Sequence, residues 1–187
     1  MSQWSVDYYE STAVRGDAYG GGLSEYYSER DTRAPVVMVA GDNDFARESM
    51  GVEHGGSISA AEVKTWFGEG IPPAGPGVGK PRAGTPGWDV LVTVPKSVSL
   101  LAALTPDKQV GTFIMNALAA ATEDAMTYLH RHAGYTRVSN PLDSSKKDLQ
   151  RLPSLPFVSY FHHTARPTED GTCDPHMHIH CLMPGKV

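Results

Sequence analysis

Two spacings of apolar residues alternate along the chain, and the changes from one to the other mark out its elements. The run APVVMVAG, Ala34 to Gly41, is short, apolar and closed by glycine, which predicts a strand. In SISAAEVKTWFGEG, Ser59 is placed to cap an amphipathic helical stretch that stops at Gly68 or Gly70. WDVLVTV, Trp88 to Val94, is β-branched and bounded by Gly87 and Pro95, the pattern of a buried strand. Pro95 suits a first helical turn, where its missing N–H costs nothing, so KSVSLLAAL is expected to start a helix at once. From Pro106 to about Ala133 the spacing predicts a long helix whose apolar stripe is Val110, Phe113, Ile114, Ala117, Leu118, Ala121, Ala125 and Tyr128, with Gly134 ending it. YTRVS then reads as a strand, NPLDSSKKDLQR as a polar loop, LPFVSYFHHTAR as a strand and PTEDGTCDP as a turn. Nearer the N-terminus two short helices are expected, one carrying Tyr8 and Tyr9, the other Tyr26 and Tyr27, while Gly70 to Gly87 is too rich in Gly and Pro to be regular.

The last predicted strand, DPHMHIHCLM, changes the picture. Successive side chains of a strand face opposite ways, so His176, His178 and His180 share one face while Met177, Ile179, Cys181 and Met183 share the other. The plain reading is a solvated edge. The alternative is a metal site, because each buried imidazole needs partners for two ring nitrogens and three in a row are hard to satisfy by packing. The preceding strand ends in His162-His163, and two neighbouring strands lie about 5 Å apart, so three imidazoles can meet across the pair. Three neutral nitrogens leave a divalent ion its full charge and an open position, as in catalytic rather than structural sites.

Composition narrows what such a site would serve. The 187 residues suit one domain, and the net charge of −5 gives no general attraction for nucleic acid, so any such binding must rest on a local patch or a metal. The two cysteines, Cys173 and Cys181, without a recognisable signal peptide, fit free thiols in a cytoplasmic protein. No apolar run approaches the roughly 18 residues that a membrane span requires. GVGK at Gly77 to Lys80 is no phosphate loop, since Pro81 follows the lysine and Ala74 stands where a glycine is needed.

Several stretches together resemble one family. GWDVLVTVPKSVSLLAAL, Gly87 to Leu104, is similar to the segment of TrwC/TraI-type (MobF) conjugative relaxases that reads Gly-aromatic-Asp, an apolar strand, then Pro-Lys-Ser-x-Ser-Leu. HHTAR and PHMHIH resemble that family's His-x-Thr-Ser-Arg and Pro-x-x-His-x-His, and DYYE and SEYYSERD its two N-terminal tyrosine pairs. Ala165 stands where the family usually has Ser, and the segment between His162 and His178 is longer. The resemblance implies an α+β fold of the HUH endonuclease kind, an antiparallel sheet backed by helices, with residues 1–187 forming the N-terminal part of a relaxase domain that is incomplete at its C-terminus.

The same resemblance implies site residues and a reaction. His162, His178 and His180 align with the metal ligands and Asp89 with the active-site aspartate, which would either accept a phenolic proton or orient a ligating imidazole. The cofactor would be a divalent ion, Mg²⁺ or Mn²⁺ in the cell, with Zn²⁺, Ni²⁺ and Co²⁺ as alternatives. The substrate would be single-stranded DNA at a transfer origin, nicked by a tyrosine that keeps the 5′ end as a phosphotyrosine, alongside other conjugation proteins as partners. Tyr8 is the expected nucleophile, Tyr9 the next choice, and Tyr26 or Tyr27 would serve a second transfer. Ionising phenol at pH 7 costs about 4 kcal/mol, so a base or an ion must help. Lys96 and Ser97, at a helix start, are candidate phosphate contacts. Other readings of the same residues are a rolling-circle replication initiator, a catalytically inactive DNA-binding or interaction module, and a zinc hydrolase of small substrates.

Overall fold

The computed structural model describes residues 35–76, 86–143, 145–165, 168 and 172–185. The two tyrosine pairs with their expected helices, and residues 77–85 of the Gly/Pro-rich loop, lie outside the described residues. A four-stranded antiparallel sheet has the order β1 (Val36–Gly41), β5 (Ser154–Thr164), β6 (Pro175–Pro184) and β2 (Gly87–Thr93). The helices are α1 (Asn43–Met50), α2 (Ala60–Glu69), α3 (Lys96–Leu104) and α4 (Lys108–Ala133), and β3 (Tyr135–Ser139) with β4 (Lys147–Arg151) forms a separate two-stranded ribbon.

Both faces of the sheet are packed. On one, Val37, Val39, Val158, Tyr160 and Leu182 meet Met50, Val63, Trp66 and Phe67 of α1 and α2. On the other, Met38, Phe157, Phe161, Ile179 and Cys181 meet Met115, Leu118 and Met126 of α4. Local chemistry starts the first pair of helices: Asp42 caps α1 by accepting from Phe45 N–H, and Ser59 with Glu62 forms a complete capping box for α2. Gly87 must be glycine, since a Cβ there would run into Met183 O and the Phe67 ring. The outer edge of β1 is closed by a loop, with Val37 N–H donating to Gly56 O, Gly55 N–H to Val37 O, and Val39 N–H to His54 Nδ1.

Four sequence expectations change. β2 is an outer strand and not a buried one, with Trp88 55% and Leu91 50% exposed. α4 buries Met115, Leu118, Thr122, Met126 and His130, so of the expected stripe only Leu118 is fully buried, and Phe113 and Tyr128 face outward. The segment expected as a polar loop contributes β4, paired with β3 from Tyr135–Arg151 to Ser139–Lys147. Helix α1 was not expected at all.

Candidate metal centre

The register of the two central strands assembles the site. Tyr160 pairs with His180 and His162 with His178, so these side chains continue the face that carries Val158 and Leu182, beyond the apolar packing of α1 and α2. On β2, Leu91 pairs with His180 and Thr93 with His178. By strand alternation His163 turns to the opposite face.

Three imidazoles converge. Ring centres lie 5.0 Å apart for His162 and His178, 5.3 Å for His162 and His180, and 5.0 Å for His178 and His180. Imidazoles bound to one ion at about 2.1 Å and at angles of about 90–110° would have centres roughly 4.6–5.3 Å apart, so the strands already hold the rings at the required spacing. Among the described residues no group of three His, Cys, Asp or Glu side chains is drawn to ligand distances.

Hydrogen bonds fix what the rings present. His180 Nδ1 lies 3.0 and 3.1 Å from the two Asp89 carboxylate oxygens, and His178 Nδ1 lies 2.8 Å from His176 O. An acceptor behind each Nδ1 selects the tautomer protonated there and leaves Nε2 as the lone-pair donor. His162 Nε2 is buried and has no hydrogen-bond partner among the described residues, an uncompensated acceptor or donor that costs about 1–3 kcal/mol. Burial, reinforced by the neighbouring imidazoles, holds the pKa of His162 down to about 3, and burial holds that of His178 down to about 4. Both rings are therefore neutral and ready to ligate at pH 7. An orphaned buried nitrogen beside two imidazoles oriented through Nδ1 fits a divalent ion.

The other expected residues divide. Asp89 joins the triad through His180. Lys96 Nζ lies 3.1 Å from Asp174 Oδ2, and Ser97 is exposed in the first turn of α3. His176 flanks the group, its ring 4.8 Å from that of His178 and its Nε2 2.9 Å from Thr93 Oγ1. Tyr8, Tyr9, Tyr26 and Tyr27 lie outside the described residues. Cys181 sits on the opposite face, buried, with its thiol pushed up to about 12 by desolvation, and is inert toward the site.

The profile of the TrwC relaxase family matches residues 2–187. The chain belongs to the TrwC relaxase family. Solved structures share its fold. Conjugative relaxase TrwC in complex with oriT DNA, in its copper-bound structure, has a TM-score of 0.61 at 19% identity over 98% of this chain and 55% of that one. The metal-free complex with oriT DNA has 0.57 at 18% identity, over 87% and 52%. TrwC complexed with a 27-mer DNA comprising the recognition hairpin and the cleavage site has 0.55 at 18% identity, over 80% and 48%. The chain thus spans about half the length of these structures. No curated protein matches it in sequence. No helix among the described residues is long and apolar enough to cross a membrane.

The sequence reading missed a cationic surface. Pairing across the ribbon puts Tyr135, Arg137 and Ser139 on one face with Lys147, Leu149 and Arg151. That face carries three cations and no carboxylate, and the Arg151 guanidinium stacks 5.6 Å from the Tyr135 ring centre. The signal was Lys147 and Arg151, which come to share a face with Arg137 once the two segments pair as strands.

Proposed function

We propose that this chain is the nicking and strand-transfer unit of a conjugative relaxase, cutting single-stranded DNA at a transfer origin through a tyrosine that becomes a 5′-phosphotyrosine. The observation that carries the reading is the meeting of His162, His178 and His180, with Asp89 behind one ring and an unpartnered nitrogen on another. Family membership and the oriT DNA in the TrwC complexes support it.

His162, His178 and His180 would hold the ion through Nε2. A divalent ion bound there supplies Lewis-acid polarisation of the scissile phosphate. Asp89 holds the His180 ring by accepting from its Nδ1–H, which leaves proton acceptance from phenol to another group. Tyr8, or Tyr9 one position on, attacks phosphorus with its phenolic oxygen while the 3′ oxygen of the preceding nucleotide leaves; Tyr26 or Tyr27 serves the second transfer. The basic face of the ribbon suits the phosphates of a DNA backbone, and it is the local patch that an acidic chain needs.

A labelled single-stranded oligonucleotide spanning the transfer origin, incubated with the protein and Mn²⁺, should give a covalent adduct on a denaturing gel. Tyr8→Phe removes only the attacking oxygen, so DNA binding survives and the adduct disappears, whereas Tyr9→Phe keeps most of it. An adduct in none of the parent and tyrosine variants would leave an inactive DNA-binding module.

A further inference from the structure

β6 reaches the histidine triad through an irregularity. Its pairing with β5 passes from His162–His178 to Thr164–Pro175, so two residues, His176 and Met177, stand opposite the single His163. An extra residue in one strand bends it and turns its backbone groups out of the ladder. Those groups are held from the β2–α3 junction. Met177 N–H donates to Ser99 Oγ at 3.0 Å in a buried position, Val94 N–H donates to Met177 O at 3.3 Å, and Thr93 Oγ1 lies 2.9 Å from His176 Nε2. Lys96 adds an ion pair to Asp174 just ahead of the strand.

The stretch Pro95-Lys96-Ser97-Val98-Ser99 therefore bears on β6 and not only on its own helix. The bulge it grips supplies the His176 carbonyl, 2.8 Å from His178 Nδ1. A carbonyl only accepts, so it fixes the proton on Nδ1 and turns Nε2 toward the other two rings. Removing the Ser99 hydroxyl would leave a buried Met177 N–H without a partner, and the bulge can relieve that only by moving.

We propose that the junction of β2 and α3 is a clamp on the β6 bulge, which makes Ser99 and Thr93 positioning residues for His178, as Asp89 is for His180. The clamp rests on the reading of His178 as a metal ligand. The test titrates the whole chain with Co²⁺, following affinity by calorimetry, and reads the His178 tautomer in the metal-free protein from its imidazole ¹⁵N shifts. Ser99→Ala and Thr93→Val should each weaken Co²⁺ binding about 10- to 100-fold and lose the pure Nδ1–H tautomer, and Thr93→Ser should restore both. A purely structural role would shift unfolding without moving the tautomer. Parent-like Co²⁺ affinity in both variants overturns the clamp. If Ser99→Ala does not fold, Thr93→Val carries the decision, since its hydroxyl is exposed. Parent-like Co²⁺ binding by His178→Ala would instead sink the ligand reading itself.

Discussion

The two faces of β6 put one backbone to opposite uses. Met177, Ile179, Cys181 and Met183 are buried on the side of α4, where removal from water is itself the stabilising force. His178 and His180 point the other way, where each Nδ1 is matched to an acceptor and removal from water disfavours protonation of His178. The same desolvation thus packs one face and, on the other, keeps His178 neutral for ligation. Core packing and ligand readiness are two outcomes of a single strand register.

The largest expected effect separates the faces directly. Ile179→Ala should lower stability by about 2–5 kcal/mol in urea unfolding, while the fraction that remains folded keeps its Co²⁺ affinity within a few-fold. A large loss of affinity alongside would mean that the faces are not separable.

Acid should act strongly through the histidine face. Since folding lowers the pKa of His162 to about 3 and of His178 to about 4, the unfolded chain binds protons that the native protein does not once the pH drops below about 6.5. The histidine contribution is then complete above that pH and falls progressively down to about pH 3. The partly exposed His162 ring contributes about 1–3 kcal/mol of this, and His162→Gln should flatten the stability profile between pH 7 and pH 4 by that amount. An unchanged profile would show that burial does not hold this ring neutral.

Asp89→Asn keeps the shape behind His180 but replaces an obligate acceptor, so Co²⁺ binding should weaken about 10- to 100-fold with little change in thermal unfolding. The smallest effect tests the apolar half of the histidine face. Ser59→Ala, which breaks the capping box of α2, should cost about 1 kcal/mol and leave Co²⁺ affinity unaltered.

The sequence made the site legible to the extent that the site is periodic. Alternation in DPHMHIHCLM, set against a strand ending in His162, suffices to bring three rings together, and the register of β5 on β6 realises it. What periodicity missed was burial of polar residues. α4 turns Thr122 inward, where its hydroxyl donates to Leu118 O at 2.8 Å, and His130 inward, where Nε2 donates to Leu152 O at 2.9 Å, and neither is counted by an apolar stripe. An outer strand such as β2 is as β-branched as a central one, because Val90 and Val92 still pack on the core from one face. The clamp on β6 was unreadable for a different reason: it joins residues 78 positions apart, Ser99 and Met177.

The loop over β1 has a bearing on how the sheet breathes. Amides that point outward from a first strand ordinarily trade their hydrogens with water quickly, but those of Val37 and Val39 are tied to Gly56 and His54. The sheet is thereby sealed along that side. A neighbouring chain would find the Val37 and Val39 donors already taken, and deuterium should enter at these two positions as slowly as it does in the interior.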